Sequence, residues 1–159
     1  MSSGNIVKLI ASVVLCQAAG ILGSLATMPS IPGWYKGLAK PAFSPPNAVF
    51  GPVWITLYLL MGIALFLVWR LGFQTRGART GVILFLVQLA LNALWSWVFF
   101  GGHNPGLGFV VIVLLWVFIL LTIINFFGLS RAAGWLLVPY LLWVTFASVL
   151  NFSIWRLNG

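Results

Sequence analysis

The chain contains no acidic residue: none of its 159 residues is Asp or Glu. This absence removes the usual carboxylate acids and bases of enzymes, the carboxylate ligands of magnesium and calcium, and the acidic relays of proton-coupled transporters. Only 5% of the residues are charged, and the formal net charge is +8. The cations are spread over the polar breaks of the chain, which argues against nucleic-acid binding and favours contacts with lipid phosphates.

Cysteine and histidine each occur once, as Cys16 and His103. A single Cys cannot form a disulfide within the chain. His103 lies in a predicted turn without a second imidazole, carboxylate or thiol nearby, so we expect no metal site. Cys16 is predicted about 15 Å inside the first helix, which separates it from His103 at the membrane surface. We therefore expect no nucleophilic pair and no catalytic residue of this kind.

Apolar residues dominate what is present. They make up 62% of the chain, and the mean hydropathy is +1.14. Five apolar runs are each long enough to cross the hydrocarbon core of a bilayer, which takes about 20 helical residues. The runs are continuous and do not alternate with period two, which favours helices over a barrel. The predicted fold is therefore all-α: one domain over residues 1–159, an integral membrane bundle of five transmembrane helices. The predicted spans are residues 6–27, 48–69, 80–101, 106–128 and 132–155.

The cations predict an orientation for the bundle. Five spans place the termini on opposite sides of the membrane. The N-terminal side collects five cations and the other side three. Because positively charged loops stay inside, we expect a cytoplasmic N-terminus in a bacterial cell membrane.

The predicted loop at residues 28–47 has an unusual composition. It contains the segment WYKGLAKPAFSPP, with two Lys, three Pro and a Trp-Tyr pair, between two long apolar runs. A plain membrane linker needs none of this chemistry. We expect a structured cap over a pocket.

Polar and aromatic residues recur at helical spacing within three of the predicted spans, so each set shares one helix face. The three sets are Trp54, Tyr58 and Met61; Gln88, Asn92, Trp95 and Phe99; and Tyr140, Trp143, Ala147 and Asn151. An unpaired amide in hydrocarbon costs several kcal/mol, so these faces should point into the bundle. Two interpretations remain open: the amides join neighbouring helices, or the faces line an aromatic pocket with a few polar groups.

Four segments resemble the translocator protein family, also called tryptophan-rich sensory proteins or peripheral-type benzodiazepine receptors. They are WYKGLAKPAFSPP, FGPVWITLYLLMGIAL, QLALNALWSWVFFG and WLLVPYLLWVTFASVLNFSIWRLN, in the family's order. The resemblance implies a five-helix bundle, usually a homodimer, with a ligand cavity between the helices. It also implies porphyrin as a ligand, with no cofactor, and in some branches cholesterol or synthetic isoquinoline carboxamides and benzodiazepines.

The resemblance assigns ligand-binding roles to ten residues of this chain. They are Trp34, Tyr35, Trp54, Tyr58, Asn92, Trp95, Phe99, Phe100, Trp143 and Ala147. Many relatives carry an acidic residue in or near the first loop. Because this chain has none, we expect the contacts of its loop to be made by backbone or amide groups.

The predicted function is that of a membrane receptor or sensor for porphyrins or similar hydrophobic ligands, acting in tetrapyrrole or stress responses. Two alternatives remain. One is an enzyme that degrades porphyrin in light, in which Trp side chains carry the chemistry. The other is facilitated transport of a hydrophobic ligand along the bundle.

Overall fold

The computed structural model describes residues 1–159 as five long helices without strands. The helices are α1 (Ser3–Ser30), α2 (Asn47–Trp69), α3 (Ala78–Ser96), α4 (Pro105–Leu129) and α5 (Arg131–Asn158). Helices α1 and α3 each continue into a π-helical turn, Ile31–Tyr35 and Trp97–Gly101. All five helices are long and apolar enough to cross a membrane. The predicted all-α membrane bundle is confirmed.

The helices form a closed ring in the order α1, α2, α5, α4, α3, because α1 packs against both α2 and α3. Short connections hold the antiparallel neighbours together. Ser130 alone separates α4 from α5, and its hydroxyl accepts a hydrogen bond from the N–H of Ala133. Asn104 caps α4 in the same way, through the N–H of Leu107. Both caps satisfy backbone donors that the first helical turn leaves free.

The loop between α1 and α2 is shorter than predicted. Residues 28–47 were expected to lie outside the helices, but helical structure runs on to Tyr35, and only residues 36–46 connect to α2. Pro29 and Pro32 do not end the helix, although each lacks a backbone N–H. The helix widens into a π-turn in which the backbone N–H of Lys36 donates to the carbonyl of Ile31 at 3.1 Å. This adjustment satisfies backbone groups around a proline in a membrane helix.

Glycine allows α1 and α2 to touch. A Cβ atom on Gly62 would lie 2.7 Å from the Cα atom of Val13, so no larger residue fits without moving the α1 backbone. About two turns further along α1, a Cβ on Gly20 would lie 2.6 Å from the ring of Tyr58. These two contacts hold α1 against α2 and place Tyr58 under the α1 backbone.

In the half of the bundle that holds the N-terminus, the space between the helices is filled by packed side chains. Phe85 and Phe126 stack there with ring centroids 6.0 Å apart, among buried residues such as Met61, Ile119 and Leu137. The opposite half, beneath loop 36–46, contains the main cavity.

Candidate ligand-binding cavity

A cavity of about 510 Å³ lies between the helices in the half nearest loop 36–46. All five helices contribute to its lining. Sites for small molecules have volumes of roughly 300–1,000 Å³ and are mostly apolar with a few polar groups. This cavity is of that size and composition.

Three tryptophans on three helices form its walls: Trp54 on α2, Trp95 on α3 and Trp143 on α5. The rings of Trp54 and Trp143 are 6.4 Å apart and nearly perpendicular. Trp95 stacks on Phe99 at 5.1 Å, and Trp54 stacks on Tyr58 at 5.5 Å. These contacts fix the rings, so the cavity presents flat aromatic faces and edges in set orientations.

A chain of hydrogen bonds, which we call the floor relay, closes the cavity near the middle of the bundle. It consists of Tyr58, Asn92, Tyr140 and Gln88, all buried. The Tyr58 hydroxyl donates to Asn92 Oδ1, Asn92 Nδ2 donates to Tyr140 Oη at 2.8 Å, and the Tyr140 hydroxyl donates to Gln88 Oε1 at 2.7 Å. The relay joins α2, α3 and α5. Tyr58 and Asn92 line the cavity, whereas Tyr140 and Gln88 lie beyond it.

A second amide joins three helices at the side of the cavity. Trp95 Nε1 donates to Asn151 Oδ1 at 2.9 Å, and Asn151 Nδ2 donates to the carbonyl of Pro105 at 2.8 Å. Both interpretations of the polar faces, joining of helices and lining of a pocket, therefore apply to the same amides. Asn92 and Asn151 join neighbouring helices and also line the cavity.

The roof of the cavity is built from the end of α1 and the loop. Tyr35 lines the cavity, and Lys40 Nζ lies 4.6 Å from the centre of its ring. The same ammonium group lies 3.3 Å from the carbonyl oxygen of Leu38. Trp34 is outside: it stacks on His103 at 4.6 Å and makes an edge-to-face contact with Phe99. Trp34 therefore supports the wall without lining the cavity.

An amide clamp ties the loop to the end of α5. The side chain of Asn158 accepts from the N–H of Ala39 at 3.0 Å and donates to the carbonyl of Ala39 at 2.9 Å. The expectation that backbone and amide groups hold this loop is confirmed by these two bonds.

Replacing Asn158 with Ala should loosen the loop, because both bonds to Ala39 are lost. With each of the two bonds contributing about 1 kcal/mol, amide hydrogen exchange at Ala39 should accelerate by roughly 30-fold. In Asn158→Asp, which keeps only the acceptor, the exchange rate at Ala39 should lie between those of the wild type and Asn158→Ala. Leu157→Ala, a change at an exposed neighbour, is the control. Equal exchange at Ala39 in all four proteins would mean that the clamp does not hold the loop.

The cavity also reaches the outer surface of the bundle between α1 and α2. Three of its lining residues, Ile21, Met28 and Ile55, are exposed on that surface. Gln17 Nε2 donates to the carbonyl of Ile55 at 3.2 Å in the same crevice. In a membrane this surface faces lipid, so the cavity is open sideways to the bilayer.

Comparison with known proteins identifies the family. The sequence profile of the TspO/MBR family matches residues 12–156. The chain belongs to the TspO/MBR family. The Tryptophan-rich protein TspO of Archaeoglobus fulgidus is 46% identical over 155 residues, which cover 98% of this chain and 99% of that protein. The human Translocator protein is 42% identical over 126 residues, 79% of this chain and 75% of that protein.

A further member of the TspO/MBR family, the Tryptophan-rich sensory protein of Cereibacter sphaeroides, is 41% identical over 125 residues, covering 79% of this chain and 77% of that protein. Together these matches confirm the resemblance to the translocator protein family. They also agree with an integral membrane protein of five spans.

Nine of the ten residues predicted to bind ligand in this TspO/MBR family member line the cavity, and only Trp34 does not. Their role in binding stays a prediction. The structure adds a wall that sequence reasoning missed, formed by Gln17, Gly20, Gly23 and Ser24 of α1. Small residues in α1 were the available signal. Small residues let membrane helices pack closely, and here they also leave room for the cavity.

Proposed function

We propose that this protein is a membrane receptor or sensor that binds a porphyrin, or a similar flat hydrophobic molecule such as a sterol, in the cavity. The observation that carries the proposal is the arrangement of Trp54, Trp95 and Trp143 around one cavity of about 510 Å³. Relatives named as translocator and sensory proteins support this class of function.

The shape and surroundings of the cavity suit such a ligand. A porphyrin is planar and rich in π electrons, so indole rings can stack on its faces or meet its edges. It partitions into lipid, and the crevice between α1 and α2 connects the lining to the lipid-facing surface. The filled core below the floor relay favours a binding site that ends inside the bundle over a path across the membrane.

The roof offers a cation to an anionic ligand group. Lys40 rests on the ring of Tyr35, which lines the cavity, and the chain has no Asp or Glu side chain to neutralise it. The propionates of a porphyrin could pair with this ammonium group at the membrane surface. A homodimer, implied by the resemblance, and a cytoplasmic N-terminus both stay predictions.

The test is a titration of protoporphyrin IX into the protein in lipid nanodiscs, followed by tryptophan fluorescence. We expect saturable quenching near one ligand per chain. Trp143→Phe should weaken binding by about five- to tenfold, as loss of an aromatic contact worth about 1 kcal/mol predicts. Trp135→Phe, at an exposed position away from the cavity, is the control. Quenching that never saturates and is equal in all three proteins would refute the proposal.

Light-dependent breakdown of porphyrin is a second candidate function. Trp54 contacts both Trp143 and Tyr58, which places three oxidisable rings together at the cavity wall. Illumination of the complex in air should then yield a new pigment product. Its yield per bound porphyrin should collapse in Trp54→Phe and Trp143→Phe. Equal bleaching in these variants and the wild type would exclude the activity.

A further inference from the structure

One group in the floor relay lacks a partner. Gln88 Nε2 makes no hydrogen bond, although the residue is only 1% exposed. The other side-chain atom, Oε1, accepts from Tyr140. Buried N–H groups without an acceptor are rare in folded proteins, rarer than unpaired carbonyl oxygens. The relay therefore ends on an unfavourable group, at its far end from the cavity.

The relay has a direction. Every donor in it points away from the cavity, from Tyr58 through Asn92 and Tyr140 to Gln88. A hydroxyl has one proton and two lone pairs. Because the proton of Tyr58 is engaged by Asn92, in this direction Tyr58 offers a ligand only the lone pairs of its oxygen.

The same side chains allow the opposite direction. Turning over the carboxamides of Asn92 and Gln88 exchanges a nitrogen for an oxygen at nearly the same position. Gln88 Nε2 then donates to Tyr140, Tyr140 donates to Asn92 Oδ1, and Asn92 Nδ2 donates to Tyr58. The buried nitrogen gains a partner, the less costly unpaired oxygen replaces it, and the Tyr58 proton is released towards the cavity.

We infer that Tyr58 anchors the ligand by donating a hydrogen bond to an uncharged acceptor oxygen, such as that of an ester or ketone, at the cavity floor. An anionic carboxylate would instead pair with Lys40 at the roof. The inference rests on the proposed function, because it assigns a chemical group to the ligand of that site. In the empty cavity a released Tyr58 proton has no acceptor, and an acceptor oxygen of the ligand supplies one. Ligands that carry such an oxygen are therefore selected over equally flat ligands that do not.

Gln88 is a positioning residue in this arrangement. It does not line the cavity, and it acts on Tyr58 through Tyr140 and Asn92. Replacing Gln88 with Met removes the acceptor of Tyr140, and Asn92 Oδ1 becomes the remaining acceptor in the relay. The reversed direction is then favoured before the ligand arrives, because it leaves unpaired the proton of Tyr58, which lines the cavity, and not that of the fully buried Tyr140. Removing the amide of Gln88, a residue outside the cavity, should therefore strengthen the binding of ligands that carry an acceptor oxygen.

The experiment compares two uncharged porphyrins in nanodiscs: protoporphyrin IX dimethyl ester, which carries carbonyl oxygens, and etioporphyrin, which has no oxygen. In the wild type we expect the ester to bind about three- to tenfold more tightly. Tyr58→Phe should abolish this difference, and Gln88→Met should enlarge it while leaving etioporphyrin binding unchanged. Thr122→Val removes a buried hydroxyl outside the relay and is the control.

Infrared spectroscopy of the bound ester separates anchoring from a structural effect. A carbonyl that accepts a hydrogen bond from Tyr58 should absorb at lower wavenumber in the wild type and Gln88→Met, and this shift should vanish in Tyr58→Phe. If Gln88→Met does not fold, Tyr58→Phe alone decides the anchor through affinity and infrared shift.

The outcomes distinguish this inference from the proposed function. Saturable binding of both porphyrins with equal affinity, unaffected by Tyr58→Phe, would overturn the anchor and leave the receptor proposal intact. Equal changes for both porphyrins in Gln88→Met would overturn the positioning role. Absence of saturable binding for both porphyrins would overturn the inference together with the proposed function.

Discussion

Replacing Ala147 with Phe should abolish saturable porphyrin binding while leaving the protein folded. Ala147 lines the cavity one helical turn above Trp143, so a phenyl ring at this position enters the space that the ligand needs. We expect the affinity for protoporphyrin IX to fall by at least about 100-fold, which corresponds to about 3 kcal/mol. The new ring fills cavity space but also crowds the packed neighbours of Ala147, which is buried in the core. Because these two effects oppose each other, the unfolding temperature should change little.

Ala132→Phe is the matched control, because it makes the same change on α5 at an exposed position far from the cavity. Binding to this variant should equal that of the wild type. The measurement is the titration of protoporphyrin IX in nanodiscs, together with thermal unfolding of each variant. Unchanged affinity in a folded Ala147→Phe protein would place the porphyrin outside the cavity.

The fold could be predicted from sequence because its main cause is local. Five continuous apolar runs separated by polar breaks leave few alternatives in a bilayer, where backbone groups must be satisfied within each segment. The end of α1 could not be predicted in the same way. In a soluble protein Pro29 and Pro32 would be expected to end a helix. In the bundle the helix continues, because a π-turn closed by the backbone N–H of Lys36 accommodates residues that lack an N–H donor.

The candidate site was partly predictable for a related reason. Residues three and four apart on one helix share a face, so the polar and aromatic sets on α2, α3 and α5 could be recognised without knowing their neighbours. The order of helices around the ring depends on contacts between residues far apart in the sequence. It brings α1 beside both α2 and α3, and it pairs Asn158 with Ala39 across 119 positions of sequence. Spacing along a single chain contains no signal for such pairings.

Gly62 offers the strongest test of how the α1 wall is held in place. Two effects oppose each other when it is replaced with Ala. Alanine favours the helix by about 1 kcal/mol over glycine. Its methyl group, however, would lie 2.7 Å from the Cα atom of Val13, and a backbone atom cannot rotate away as a side chain can. Overpacking of this kind costs typically about 1–3 kcal/mol, so we expect a net loss of stability.

Gly62→Leu should enlarge that loss to several kcal/mol, because the whole side chain must enter the crossing of α1 and α2. Gly51→Ala on the same helix is the control: nothing lies within 4 Å of its new Cβ, so only the helix preference acts and stability should rise slightly. Reversible unfolding in detergent micelles gives the free energy of unfolding for each variant. A gain in both alanine variants would mean that α1 and α2 do not touch at Gly62. Opposite signs would establish that the crossing at Gly62 fixes α1, and with it one side of the cavity, against α2.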